Sequence, residues 1–253
     1  MSTAFTDHFA GVATHYACHR PSYPPELFAW LASQLLERRL AWDCATGSGQ
    51  AAVALADHFD AVLATDASSS QIEAAKPWPG VQYRVAPAEA SGLEAQSVDL
   101  VTVAQALHWF DLGTFYAEVR RVLKPGGLLA VWTYGVFRLE GGAAGQLQEL
   151  LDRFYWQTVG PYWPAGRRHV ENGYAELRFP FDELTVPCFA MQVDWSLDDL
   201  AGYLRSWSAT SRYREQVGVD PVAELTRELA PLWGEAPRQV SWPLSLKVGR
   251  FTC

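Results

Sequence analysis

The residues with the clearest chemical content stand together in Trp42-Asp43-Cys44-Ala45-Thr46-Gly47-Ser48-Gly49-Gln50. An apolar run from Leu40 to Trp42 ends on a carboxylate. A loop with two glycines follows, and Ala51 to Ala56 has the composition of a helix. The order is strand, tight turn, helix start. A second apolar run, Ala61-Val62-Leu63-Ala64, ends at Thr65-Asp66. A carboxylate about 20 residues past a glycine turn, at the tip of the next strand, suits the two hydroxyls of a ribose. The spacing predicts a nucleoside site.

Asp43 decides between two kinds of nucleoside. Gly47-Ser48-Gly49-Gln50-Ala51-Ala52 satisfies the G-x-G-x-x-G/A pattern of dinucleotide sites. A dinucleotide sets its pyrophosphate against such a turn, where backbone N–H groups favour an anion. A carboxylate at the strand end would repel it, at a cost on the order of a few kcal/mol at ~4 Å near a protein surface. S-adenosylmethionine carries an ammonium and a sulfonium there and no phosphate, so Asp43 would attract it. The expected ligand is therefore a methyl donor, with a nicotinamide coenzyme as the alternative.

These residues need elements to position them. Phe5, Phe9, Val12 and Tyr16 are spaced like one helix face, and Arg20-Pro21-Ser22-Tyr23-Pro24-Pro25 breaks that helix. A helix from Pro25 would turn Leu27, Phe28, Trp30, Leu31, Leu35 and Leu36 inward. After the second strand, Ser68 is placed to cap a helix to about Lys76, and Val81 to Ala86 alternates as a third strand. Ser97–Ala104 is a fourth strand, Leu112–Leu123 a helix stopped by Lys124-Pro125-Gly126-Gly127, and Leu128–Thr133 a fifth strand. Such alternation implies a parallel sheet covered on both faces, with ligands at the carboxyl ends of the strands. Asp43, Gly47, Asp66, Glu89 and Gln105 fall on that rim. Beyond Tyr134, Gly141-Gly142-Ala143-Ala144-Gly145 reads as a joint. A helix Gln146–Thr158 follows, then a strand Phe189–Val193, helices Leu197–Ser208 and Pro221–Leu232, and a strand Gln239–Phe251.

Bulk properties narrow the class. A chain of 253 residues, 49% apolar, can fill one large domain. A net charge of −8 argues against a sequence-independent grip on nucleic acid. The four cysteines show no C-x-x-C spacing, so neither a zinc motif nor a disulfide framework is expected, and no metal site. No apolar run is long enough to span a bilayer. The expectation is a cytoplasmic monomer or homodimer that acts on a small molecule, with no membrane or nucleic-acid partner.

The motifs together resemble the class I S-adenosylmethionine-dependent methyltransferases of type 11, with the general signature in residues 40–134. His108-Trp109-Phe110-Asp111, Trp132-x-Tyr134, Gly160-Pro161-Tyr162-Trp163 with Gly166-Arg167, and Tyr203-Leu204-Arg205-Ser206-Trp207-Ser208-Ala209 are similar to the trans-aconitate methyltransferase group. The resemblance implies a three-layer α/β, Rossmann-like fold. Its sheet is seven-stranded and mostly parallel, of order 3-2-1-4-5-7-6, with an N-terminal helical cover and an insertion after strand five. Residues 1–253 would form one domain: N-terminal helices 1–39, donor-binding core 40–134, lid and substrate insertion 135–185, and remaining sheet and helices 186–253. Pro87 stands where many relatives have Asp, and Gln50 where the family often has a third glycine.

The donor contacts so implied are Tyr16, Arg20, Asp43, Ala45, Gly47, Gly49, Asp66, Ala67, Gln71, Ala88, Glu89 and Gln105, with S-adenosylhomocysteine as product. Trp109, Trp132, Tyr134, Tyr162, Trp163, Arg167 and Arg205 are the expected acceptor-side residues. Arginine offers a bidentate fork to a carboxylate. The expected acceptor is a small, anionic carboxylate; a neutral hydroxylated or lipophilic metabolite is the alternative, favoured by an aromatic pocket without a convergent arginine pair. A donor-binding module without catalysis is a further alternative. His108 follows the fourth strand: a base for a hydroxyl acceptor, or a histidine packed on Trp109.

Overall fold

The structure, a computed structural model, describes residues 21–140 and 144–252. The expected N-terminal helix, with Tyr16 and Arg20, lies outside the described residues. Helix α1 (Pro25–Ser33) leads to β1 (Leu40–Cys44), α2 (Gln50–Leu55), β2 (Ala61–Asp66), α3 (Ser69–Ala74), β3 (Val81–Val85) and β4 (Val98–Ala104). A turn of 3-10 helix (Leu107–Trp109), α4 (Leu112–Val122), β5 (Leu123–Tyr134) and β6 (Arg138–Leu139) follow. Next come α5 (Ala144–Arg153), a π-helical turn (Phe154–Thr158), a 3-10 turn (Gly160–Tyr162) and α6 (Arg167–Glu171). The chain closes with β7 (Asp182–Glu183), β8 (Ala190–Trp195), α7 (Leu197–Arg205), α8 (Ser208–Val217), α9 (Pro221–Trp233) and β9 (Arg238–Arg250).

The sheet runs β3-β2-β1-β4-β5-β9-β6, with β7 and β8 also paired to β9. The first five strands are parallel and β9 is antiparallel to β5. The nine strands reconcile with the expected seven. Residues 128–134 of β5 and then β6 follow one edge of β9, while β7 and then β8 follow the other. Each edge strand is split by a short irregular stretch, so two long strands count as four.

Alternation along the strands separates the two covering layers. Ala41, Leu100, Leu128, Ala130 and Trp132 pack with α1 and α2, while Trp42, Val101, Leu129 and Val131 pack with Phe115, Val119 and Val122 of α4. A third cluster joins α5, α7 and α9 to β6, β8 and the first half of β9. Two sequence expectations change. Leu36 lies past the end of α1 and is fully exposed, and α8 is an additional helix in a stretch of polar residues. No helix of the described residues is long and apolar enough to cross a membrane.

Candidate functional site

The strand order reverses between β1 and β4, and both strands end in a non-glycine residue with left-handed backbone: Ala45 (φ 54°) after β1 and Gln105 (φ 59°) after β4. Such backbone is costly and concentrates at functional sites. The β1 loop continues through left-handed Gly47 and Gly49. At Gly49 any β-carbon would run into the Tyr83 ring, so the α2 N-terminus needs glycine there.

Asp43 is buried, 1% exposed. Its two carboxylate oxygens accept from the hydroxyls of Thr46 (2.5 Å) and Thr102 (2.7 Å). Burial pushes its pKa up to about 6, against the pull of those hydrogen bonds. Its two oxygens are thus each held by a threonine hydroxyl, and its charge acts on the loop through the low-dielectric interior. Asp66, at the tip of β2, accepts from the Gly47 N–H (2.9 Å) and the Ser68 N–H (2.9 Å), which ties the two strand ends together. Gln71 lies over the loop, its Oε1 being 3.7 Å from where a Gly47 β-carbon would stand. Gln50 donates to the Pro21 carbonyl (3.0 Å) and holds the incoming chain against the loop. Ala88 is buried beside β4, and Glu89 accepts from the Asp111 N–H (3.1 Å), joining the β3 loop to the segment after His108.

On the far side of Gln105 lies a second cluster. The His108 ring is 4.7 Å from the half-exposed Trp109 ring, and its Nδ1 is 3.1 Å from the hydroxyl of Tyr174. Burial, then the charges of His169 and Arg167, push His108 down to about 4, so the imidazole is neutral at physiological pH. A β-carbon on Gly166 would sit 3.4 Å from His108, which places the start of α6 against the ring. Arg167 stacks over Trp163 (4.5 Å) and donates to the Tyr155 hydroxyl (2.8 Å), which donates to Glu171 (2.6 Å).

A model of the methyltransferase domain matches residues 42–131. A protein of Dictyostelium discoideum, whose name calls it a methyltransferase without a substrate, is 35% identical over 229 residues, spanning 90% of this chain and 86% of its own. A solved structure from Anaeromyxobacter dehalogenans, provisionally named a type II methyltransferase, superposes with a TM-score of 0.86 at 43% identity, covering 92% of this chain and 98% of that one. A Bacillus halodurans structure shares the fold at a TM-score of 0.51 and 19% identity. The chain belongs to the class I S-adenosylmethionine-dependent methyltransferases.

The residues present fit the donor of this methyltransferase family. Asp43 to Gln50 carries no cationic side chain for a phosphate. Asp66 keeps a carboxylate at the rim, and each of its oxygens has two lone pairs, so its backbone bonds are compatible with incoming hydroxyls. Asp43, Ala45, Gly47, Gly49, Asp66 and Gln71 converge on one loop. Ala67 follows Asp66, and Ala88 with Glu89 lines the adjacent strand end. Gln105 contributes differently from expectation: its side chain is tied to the end of β5, its Nε2 to the Tyr134 carbonyl (3.1 Å) and its Oε1 to the Thr133 hydroxyl (2.7 Å).

Of the expected acceptor-side residues, Trp109 lies against His108, Arg167 is close enough to act on its charge, Trp163 stacks under Arg167, and the Tyr134 carbonyl accepts from Gln105. Tyr162 is turned to α8, its ring 5.1 Å from Tyr213 and its carbonyl bonded by Arg212. Two expected residues lie elsewhere. Trp132 is 0% exposed on the opposite sheet face, packed on Tyr23 and Phe28, because alternation on β5 points even-numbered side chains to α1. Arg205 is paired with Asp220 (2.9 Å), the N-cap of α9, a partner close in sequence that takes its charge. Tyr155, Glu171 and Tyr174 were not expected from sequence. For Tyr174 the Asn172-Gly173 pair was a turn signal, and the turn is sharp: Gly173 (φ 63°) and Tyr174 (φ 61°) are both left-handed.

Proposed function

We propose that the enzyme methylates an oxygen of a small, hydroxyl-bearing acceptor seated between His108, Trp109, Trp163 and Arg167, with residues 135–185 as its lid. One observation carries this reading. A neutral His108, backed by Tyr174, stands at the rim beside Trp109, and of the two expected acceptor-side arginines only Arg167 is near it, Arg205 being paired with Asp220. A carboxylate is already ionised at neutral pH and needs no base. A hydroxyl needs one within hydrogen-bond reach.

When bound, S-adenosylmethionine supplies a methyl carbon on a cationic sulfur, open to in-line displacement, and leaves as S-adenosylhomocysteine. Asp66 holds the ribose hydroxyls, and the loop Ala45–Gly49 surrounds the methionine end. His108 takes the proton that the acceptor hydroxyl loses as its oxygen bonds to the methyl carbon and the carbon–sulfur bond breaks. Burial, foremost, and the nearby Arg167 charge keep the imidazole unprotonated beforehand. As the acceptor oxygen gives electrons to the methyl carbon its O–H becomes more acidic, so a weakly basic, neutral imidazole can take the proton. Trp109 and Trp163 offer flat apolar walls that align the acceptor.

A carboxylate acceptor is the second reading, favoured by the positive charge that Arg167 places beside His108. Arg167 meets it with its charge partly answered by Glu171 at 3.9 Å. Transfer of labelled methyl across a panel of small hydroxyl compounds and carboxylic acids, by wild type and H108A, separates the two. Methylated hydroxyl compounds, with kcat lowered about 10²- to 10⁴-fold in H108A, are expected. Carboxylic acids methylated at near wild-type kcat by H108A would move the assignment to the second reading. Donor binding without turnover on any acceptor would sink both.

A further inference from the structure

The segment between β4 and α4 carries His108 and Trp109, and it is fastened at both ends by side chains of the strand-end rim. At its start Gln105 sits in left-handed backbone (φ 59°). Its N–H donates to the Trp132 carbonyl (2.9 Å), its Nε2 to the Tyr134 carbonyl (3.1 Å), and its Oε1 accepts from the Thr133 hydroxyl (2.7 Å). Left-handed backbone outside glycine persists only where the surroundings impose it, and these bonds to β5 do so. At the far end Asp111 caps α4, its Oδ1 accepting from the Thr114 N–H (2.9 Å). In a capping box the third helical residue is Glu or Gln, and it bonds the N–H of the cap in return. Here that residue is Thr114, and the Asp111 N–H donates instead to the Glu89 carboxylate (3.1 Å), 22 residues back in the chain. A carboxylate also suits the positive end of the α4 dipole. Glu89 is anchored in turn, because Ser91 donates its N–H (2.9 Å) and its hydroxyl (2.5 Å) to Glu118 of α4. Between the two fastenings lies one 3-10 turn, closed by the Trp109 N–H on the Ala106 carbonyl (2.9 Å). Ala106 and Leu107 are buried there, while Trp109 is half-exposed.

We infer that Glu89 and Gln105 are positioning residues for methyl transfer: they hold the two ends of the segment that presents His108 and Trp109 to the acceptor. The span from Ala106 to Phe110 is short and closed into a turn, so a shift at either end moves the His108 ring. Glu89 completes the cap of α4 from outside the helix, and Gln105 ties the end of β4 to the end of β5. A residue that only met the donor would act on donor affinity. Glu89 and Gln105 act on turnover, with donor affinity little changed. The inference rests on the reading that seats the acceptor beside His108.

The test pairs backbone hydrogen exchange of residues 106–111 in the full-length enzyme with kinetics and with calorimetric titration of S-adenosylhomocysteine. E89A removes the partner of the Asp111 N–H. Q105G removes both side-chain bonds to β5, and glycine adopts the left-handed backbone without strain. In each variant residues 106–111 are expected to exchange faster, a local opening that leaves the rest of the sheet protected. Turnover should fall roughly 10- to 100-fold, the scale of a reacting group misplaced by about 1 Å, while S-adenosylhomocysteine affinity is little changed. E89Q keeps an oxygen for the Asp111 N–H and is expected to restore both slow exchange and kcat. Unchanged exchange in E89A would overturn the inference, as would weakened S-adenosylhomocysteine binding with kcat preserved, the behaviour of a donor contact. Faster exchange with undiminished turnover would overturn it through the reading it rests on, by removing the acceptor from beside His108. E89A decides even where Q105G does not fold, because the Glu89 bond lies at the surface.

Discussion

The proposed part of Asp43 in donor binding comes at the expense of the fold. Its folded pKa, about 6, lies above the ordinary 3.8. Between those values the folded protein holds a proton that the unfolded chain releases. The stability Asp43 contributes is thus fully present below about pH 4 and lost as the pH rises through 6. At pH 7 its buried charge costs up to about 3 kcal/mol. D43N, which keeps the shape and can bond both threonines, is expected to raise the apo unfolding midpoint by a few degrees. It should also weaken binding of S-adenosylhomocysteine about 10-fold, because the field of a carboxylate on the ligand's ammonium group is lost. Paired thermal unfolding and calorimetric titration check this; an unchanged affinity would remove Asp43 from donor recognition.

At the scale of elements, hydrogen bonds from a covering helix hold the rim in place. Glu118 on α4 accepts from the Ser91 N–H (2.9 Å) and hydroxyl (2.5 Å) and from Arg121 (2.7 Å), which fixes the β3–β4 connection carrying Glu89. Those bonds, Arg121 foremost, hold its pKa down to about 2 from 4.5. This depressed pKa gives stability that is present above pH 4.5 and lost as the pH falls toward 2. E118Q is expected to lower stability by about 1.5–3 kcal/mol at pH 7, the scale of hydrogen bonds to a charged group. The gap should narrow below about pH 4.5. Urea unfolding at several pH values reads both effects, and a gap independent of pH would contradict the ionised latch.

At the scale of the whole molecule, the glycine loop after β1 belongs to the parallel half of the sheet, and the cluster around His108, the proposed acceptor site, joins that half to the segment between β6 and β7. Binding of a ligand to the folded state alone raises stability by mass action, about 2.7 kcal/mol at one hundred times Kd. For a chain of this size that is an upward shift of roughly 5–10 °C. S-adenosylhomocysteine should produce such a shift in wild type, and D66A should abolish most of it at the same concentration. A full shift in D66A would refute the ribose role of Asp66.

The sequence by itself determined the layers and the donor rim. Period-two alternation sorts Ala41 from Trp42 and Leu100 from Val101, and the acidic strand end, the two glycines and Asp66 are local signals whose spacing survives folding. Only the tertiary structure decided which partners those side chains found. Asp43 meets Thr102 from 59 residues away, and His108 meets Tyr174 from 66 residues away. Arg205 prefers Asp220 to the acceptor side, and Trp132 belongs to the helix α1 face. Competition among distant hydrogen-bonding and charged groups is settled by three-dimensional proximity and burial, and neither quantity is written in a one-dimensional pattern.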